Sequence, residues 1–431
     1  MKSIGNLIIE SIIFFDVNKI DRVELSEIFV EFNLFEDIYS DSISGNLLLI
    51  DVDNLLGKFP IKGVEFLNVR LRSDYTNEYI NKVFQIYEVS DRKEVGSNAL
   101  IYTLNFISAE KMIDSETKIS KSYKNYTNSE IVYNIWSQFT VDFRRKYFGN
   151  VDLSIIEVED TRNISHVVIP NWNPFKSIHW LASRSMSLGN RGSSFLFYDT
   201  LRGFKFKSLE SLFKTGILRA NVNSEYQLEW NLSPRDTTDH TNLMIKRWIT
   251  KLDVVKGSSL LDNVLNGMYA NKMLSHDLLS RKYDTVEFNY KNSFDNSGGG
   301  PTYRSVYPHQ HLNSEPLADL SSSSNNFRSD SFMMYNSKPN MDDFSELWKQ
   351  TRISQLQQIE AIKLEVEIVG TVDIMVGDVI NLRFSDITFE SREQDKIYAG
   401  NYLITAVRHN VTQNDFGTVL EIVKESYQRE Y

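Results

Sequence analysis

The sequence predicts a β-rich α+β protein: two antiparallel β-barrel domains built on one repeated module, a small mixed α/β domain, and an insertion with helices and a flexible loop. Three observations carry that expectation. A strand phrase occurs near both ends of the chain, Glu65-Phe-Leu-Asn-Val-Arg-Leu71 and Asp378-Val-Ile-Asn-Leu-Arg-Phe384, preceded by Gly63 and Gly377 with a one-residue slip between the copies. Apolar residues alternate with polar ones at a period of two through the N-terminal quarter and again near the C-terminus, the mark of strands with one buried face. Between these regions the period becomes helical.

From Glu24 to Ile107 strand follows strand. Ile28, Val30, Phe32 and Leu34 alternate with other residues, Leu67, Val69 and Leu71 alternate with Asn68, Arg70 and Arg72, and Tyr102, Leu104 and Phe106 line a third run. Turn signals at Ser44-Gly45, Lys62-Gly63 and Gly96-Ser-Asn98 separate the runs. The earlier run Leu7 to Asp16 also reads as a strand, because Glu10 and Asp16 interrupt it and no small-residue cleavage site follows. The first barrel is assigned to residues 1–112.

Residues 113–222 read as the mixed α/β domain. Thr127-Asn-Ser-Glu130 spells a capping box, followed by Ile131, Val132, Ile135, Trp136 and Phe139 at helical spacing. A second helix starts at Asn173 as N-cap and Pro174 as first helical residue, with Phe175, Ile178, Ala182 and Met186 on one face. Strands are expected at Val167–Ile169 and at Phe195–Tyr198, the latter joined through Arg202-Gly203 to Phe204–Phe206.

The second barrel is assigned to 223–258 and 361–431. Its strands are Tyr226–Trp230, Leu243–Trp248 and the run Ile362, Leu364, Val366, Ile368, whose alternating partners Lys363, Glu365 and Glu367 are charged. The intervening 259–360 form the insertion. It opens with a helix bearing Leu261, Val264, Leu265 and Met268 and closes with a helix from about Met341 to Glu360. Between them, Gly298-Gly-Gly300 and Ser321–Ser324 mark a stretch too polar to order itself.

Composition narrows the function. A chain of 431 residues, 41% hydrophobic, holds two to four packed domains, and its 26 Phe and 21 Tyr suit pleated surfaces. The net charge of -10 speaks against a sequence-independent grip on DNA phosphates, which needs a basic face, and is compatible with an acidic passage through which DNA slides. No cysteine is present, which excludes disulfides, thiolate metal sites and a cysteine nucleophile, and agrees with folding in a reducing cytoplasm. No apolar stretch is long enough to span a bilayer, so a soluble chain without membrane insertion is expected.

No catalytic or metal-binding residue is assigned. Among 57 acidic residues, chance carboxylate pairs exist whether or not a glycosidase dyad does. No nucleophile elbow, phosphate loop or zinc helix is spelled. His309-Gln-His311 resembles half a metal site but lacks a third ligand at useful spacing, and reads as solvated loop. His179 and His409 read as packed or surface histidines, and Trp172 and Trp180 as core residues. Arg70 and Arg383 hold equivalent outward places in the two repeat copies, where a subunit contact and plain solvation are both open.

The succession of motifs is more specific than any one of them. Glu31-Phe-Asn-Leu-Phe-Glu-Asp-Ile-Tyr39, Ile43–Asp51, Leu55-Leu56, Phe59-Pro60-Ile61 and Gly63-Val-Glu65 are followed by Trp172–Phe175, Ile178–Ala182, Ser194–Asp199, Gly203–Phe206, Asn266–Ala270, Gly400–Ile404, Val407–Asn410 and Thr418–Leu420. In this order they resemble the central baseplate hub proteins of contractile-tailed bacteriophages. The resemblance implies two tail-tube-like barrels per chain, a homotrimer whose six barrels form a pseudo-sixfold ring, and a structural role without catalysis or cofactor. It also implies contact with the tail tube protein, the tail spike protein and baseplate wedge proteins, DNA as a transient passenger through the channel, and a place in the virion after assembly in the host cytoplasm. Asn292 to Asn340 depart from the family's pattern. Rival readings are a tail-associated carbohydrate-active enzyme, a receptor-binding module, and the spike-base protein of a contractile injection or secretion system.

Overall fold

The computed structural model describes residues 2–4, 7–16, 22–73, 79–95, 99–141, 155–162, 164–189, 192–223, 226–230, 249–257, 260–277, 282–290, 329–334, 345–384 and 398–424. The first module contains β1 (Lys2–Ile4), β2 (Leu7–Phe15), β3 (Arg22–Glu24), β4 (Phe29–Asp37), β5 (Ser44–Asp51), β6 (Phe66–Ser73), β7 (Tyr79–Val95) and β8 (Ala99–Ser108). They pair antiparallel in the order β1-β2-β6-β7-β8-β5-β4. β3 pairs back onto β2 and continues through a short turn into β4, so this bent strand closes the sheet on itself. Helix α1 (Leu55–Lys58) lies between β5 and β6, and α2 (Ala109–Glu116) follows β8.

The predicted inward rows of β6 and β8 are buried, with Leu67, Val69, Leu71, Tyr102, Leu104 and Phe106 all at 1% exposure or less. Two expectations change. A bulge at Val30 puts Phe29 on the core side of β4 ahead of Phe32 and Leu34, leaving Ile28 and Val30 half-buried. Ser44-Gly45 opens β5 instead of forming a turn; the chain reverses just before it, and Gly45 is the place where the Phe106 ring presses on backbone. Gly96-Ser-Asn98 lies outside the described residues.

The middle of the chain forms β9 (Ile119–Thr127), α3 (Asn128–Trp136), a π-helical turn (Ser137–Val141), β10 (Ile156–Val158), β11 (Ile164–Trp172), α4 (Pro174–Ala182), β12 (Phe195–Thr200), β13 (Gly203–Ser208) and α5 (Leu209–Val222). β9 pairs with β11, and β10, β13 and β12 make a second small sheet. The capping box is formed: Glu130 N–H donates to Thr127 Oγ1 at 3.3 Å, and Thr127 N–H to Glu130 Oε2 at 2.7 Å. Trp136, Phe175, Phe197 and Phe204 pack as an aromatic cluster, with Trp136 and Phe204 centroids 4.4 Å apart.

α4 starts where expected but is capped differently. The Phe175 N–H donates to the Asp114 carboxylate at 2.6 Å, while the Asn173 side chain donates to the Asp114 carbonyl at 2.7 Å. The helix ends at Ala182, so Met186 lies beyond it. Trp172 and Trp180 meet edge to face, 5.7 Å apart, half-buried at the border of this core. α5 is an addition to the elements expected from sequence. It is capped by the Ser208 hydroxyl and packs Leu212, Phe213, Ile217 and Ala220 into the core of the second module.

The second module begins with β14 (Gln227–Trp230) and β15 (Ile249–Lys256); the run Leu243–Trp248 lies outside the described residues. The insertion follows, with α6 (Leu260–Leu265), β16 (Ala270–Asp277), β17 (Lys282–Asn289), β18 (Ser329–Met334) and α7 (Ser345–Ile359). Helices stand at both expected places, though α6 ends at Leu265 with Met268 beyond it and residues 341–344 lie outside the described residues; β17, β16 and β18 form a three-stranded sheet absent from the sequence expectation. β18 falls within the stretch read as flexible and pairs parallel with β16; the rest of that stretch is outside the described residues. The module is completed by β19 (Ile362–Val369), β20 (Val379–Phe384), β21 (Gly400–Thr412) and β22 (Phe416–Lys424), in the order β14-β20-β21-β22-β19-β15.

The two modules repeat strand for strand. β4-β5-β6-β7-β8 and β15-β19-β20-β21-β22 share chain order and neighbours. Each carries a bulge at matching places, Val30 and Thr250 in the first strand of each set, Tyr87 and Thr405 in the fourth. Ile86 N–H donates to the Glu65 carbonyl and Ile404 N–H to the Asp378 carbonyl, both at 2.9 Å, which fixes Glu65 against Asp378 and Arg70 against Arg383. The equivalence ends at the module's entry strand, since β2 runs antiparallel to β6 but β14 runs parallel to β20.

Gly63 and Gly377 both sit at positive φ, 88° and 84°, in the turns before the repeated strands. Only Gly377 is also crowded, because a Cβ there would lie 2.3 Å from the buried Tyr198 Oη. Gly63→Ala is expected to cost about 1–2 kcal/mol for left-handed backbone alone. Gly377→Ala should cost about 1–3 kcal/mol more for overpacking. Denaturant midpoints of the two variants measure this, and equal losses would contradict it.

Candidate functional site: the seam between the barrels

β21 has thirteen residues because it serves three partners. One edge pairs with β22; the other pairs first with β20 through Gly400–Leu403 and then with β4 of the first module, Ala406–Thr412 against Asp37–Glu31. The seam therefore fuses both modules into one sheet of fourteen strands.

On the face away from the cores the seam carries amides. Asn410, Asn33, Asn46 and Asn105 stand opposite one another across β21, β4, β5 and β8. Asn410 Nδ2 donates to Asn33 Oδ1 at 2.7 Å and Glu31 Oε1 at 2.8 Å, Asn33 Nδ2 to Asn46 Oδ1 at 2.9 Å, and Asn105 Nδ2 to Ser90 Oγ at 3.0 Å. Arg408 adds two donors to Asn33 Oδ1, at 3.2 and 3.1 Å. Such cross-strand pairs pin register between two modules that meet only after folding.

Beneath the seam lies a buried ionic cluster. Lys82 on β7 donates to Asp199 Oδ1 at 2.5 Å and to the Thr200 carbonyl at 2.8 Å, and Ser108 Oγ donates to Asp199 Oδ2 at 2.6 Å. The Lys82 and Asp199 side chains are 5% and 0% exposed. Burial pushes the Asp199 carboxyl upward, and the Lys82 ammonium opposes that push. This pair ties the first barrel to the β12–β13 turn of the middle domain.

Glu36 and His409 face each other across the seam, Oε1 to Nε2, at 3.9 Å, both fully buried. Burial pushes Glu36 up to about 8, with Lys82 and the Val376 and Leu201 amides opposing, and pushes His409 down to about 4. At neutral pH the pair is thus an uncharged carboxyl beside an uncharged imidazole.

The residues singled out from sequence lie elsewhere, apart from His409. Arg70 and Arg383 are exposed on β6 and β20. His179 joins a surface group in which its Nε2 lies 3.3 Å from Asp41 Oδ2, itself bound by Lys111. His309 and His311 are outside the described residues. Among the described residues no group of three or more His, Cys, Asp or Glu is placed to hold a metal, and no helix is long and apolar enough to cross a membrane. The seam residues carry a signal in the sequence. Glu36, Lys82 and His409 occupy inward positions of alternating runs, Phe32-Leu34-Glu36, Ile80-Lys82-Phe84 and Val407-His409-Val411, where an apolar residue is the rule.

The fold of the chain is similar to that of solved phage tail proteins. The chain is similar in fold to the tail protein from Neisseria meningitidis MC58, with a TM-score of 0.54 at 9% identity and 96% of each chain covered. It is likewise similar to the 43 kDa tail protein of prophage MuSo2 from Shewanella oneidensis, with a TM-score of 0.52 at 11% identity, covering 96% of this chain and 99% of that one. In sequence it is 21% identical over 401 residues to "Probable baseplate hub protein gp334" of Vibrio phage KVP40, covering 89% of this chain and 87% of that protein. No family model matches the chain. The resemblance to baseplate hub proteins read from the motifs thus extends over most of the chain, on the fold of phage tail proteins.

Proposed function

We propose that the chain is the central hub of a contractile-tail baseplate: a homotrimer whose six barrels form a ring of pseudo-sixfold symmetry, with the tail tube on one side and the spike on the other. The β4–β21 seam carries this reading. It joins different surfaces of two equivalent modules, so it is a head-to-tail contact, and such contacts repeat into a ring when their rotation closes. Two modules in each of three chains supply six positions. The asparagine row offers neutral amides on the face away from the cores, a lining along which DNA passes without being gripped, in keeping with the net charge of -10. The role is structural, with wedge proteins outside the ring and the whole in the virion baseplate after assembly in the host cytoplasm. Native mass measurement of the full chain, alone and with spike protein, should give a trimer; a monomer under both conditions at high concentration would overturn the reading.

A further inference from the structure

We infer that neighbouring copies of this chain join by pairing the outer half of β7 of one copy, antiparallel, with β15 of the next, as β21 and β4 pair within a chain. The inference rests on the ring reading and names its contact surface. Ile86 matches Ile404 through the shared bulge, so the residues from Glu88 onward match those from Ala406, which pair with β4. Thr250 matches Val30 through the other bulge, so Lys251–Val254 match Glu31–Leu34, and a second bulge at Val255, absent from β4, puts Lys256 in the place of Phe35; Glu31–Asp37 are the residues that pair with β21. Among the described residues, Glu88–Val95 have β8 as their only strand partner and β15 has only β19. The two edges left open are therefore the counterparts of the two edges already zipped.

Carrying the internal register across sets Ser90 of one copy beside Lys256 of the next. Beyond Ser90, β7 has a second bulge with Asp91 at φ 54°, absent from β21, and then runs Arg92, Lys93, Glu94. The antiparallel course sets Lys93 opposite Asp253 with Arg92 beside it, and Glu94 opposite Leu252, next to Lys251; the charged residues are all exposed. In the single chain Lys251 and Asp253 pair with each other at 2.6 Å. Charged edges ordinarily resist pairing. Here the charges on one edge meet opposite charges on the other, which admits this partner and disfavours the like-charged alternatives. Val254 and Val255, 49% and 56% exposed, and Tyr87, 49% exposed, lie on the same edges.

The chain has no cysteine, so introduced thiols report alone. In the full chain, Ser90→Cys with Lys256→Cys should oxidise to covalent dimers and trimers, whereas either single variant, or Ser90→Cys with Thr250→Cys, should not. Arg92→Glu with Lys93→Glu should weaken self-association about tenfold, and adding Asp253→Lys should restore it. Melting curves confirm that each variant folds. A trimer with neither the covalent link nor the charge rescue overturns the edge pairing and leaves the ring standing; a chain that stays monomeric, with spike protein present, overturns both.

Discussion

Asp199→Ala is expected to destabilise the folded chain by about 3–5 kcal/mol, the usual loss when one partner of a buried ion pair is removed. The Lys82 ammonium would keep the Thr200 carbonyl but lose its counter-charge in a site where its side chain is 5% exposed. Lys82→Met combined with Asp199→Leu should recover most of the loss, because two apolar groups need no partner. Urea unfolding of the single and double variants measures both. A single-variant loss under about 1 kcal/mol would mean that the cluster is hydrated and holds little. The cluster ties the first barrel to the middle domain, so the single variant should also split one calorimetric transition into two.

Glu36→Gln is expected to remove a fall in stability that the natural chain shows between about pH 7 and 8. Glu36 is held near 8 in the folded chain against an ordinary 4.5, so the folded state binds the extra proton; its share of stability is complete below 4.5 and lost as pH rises through 8. His409, held near 4 against an ordinary 6.5, behaves in the opposite sense, contributing fully above 6.5 and losing its share as pH falls through 4. Between 4.5 and 6.5 the two slopes cancel. Glu210, which burial pushes up to about 7, loses its share in the same sense as Glu36 until pH 7, above which the Glu36 slope of about 1.4 kcal/mol per pH unit stands out. Unfolding midpoints of the natural chain should therefore descend from pH 7 to 8, while those of the Gln variant stay flat over that window. A descent that persists unchanged in Glu36→Gln would assign it to another group.

Sequence periodicity exposed the strands because each has one buried face, and the repeated phrase exposed the duplicated module because its turn needs a glycine at positive φ in both copies. Bulges were hidden, since one extra residue at Val30 shifts the inward row without altering composition. Asp114 as the cap of α4 was hidden as well, being about sixty residues from the helix it caps. α5 escaped notice because Thr215 and Gly216 interrupt its apolar stripe. Gly216 is there for packing, as a Cβ would strike Val379. The insertion's sheet pairs polar strands whose register depends on tertiary contacts. At the seam, the charged inward residues were visible and the pairing that explains them was not.

The Arg408–Asn33 contact of the seam spans 375 positions of sequence. During synthesis the first barrel emerges long before β21, and the β4 edge waits open while the middle domain, the insertion and four further strands are made. An open strand edge is a template for wrong partners, and closing so distant a contact is slow. This distant pairing of the sheet is thus also among the last the ribosome permits, so a chain interrupted between residues 108 and 400 leaves a finished first barrel with an unguarded flank. The same pairing that makes the mature molecule one continuous sheet makes its shortened products prone to join one another.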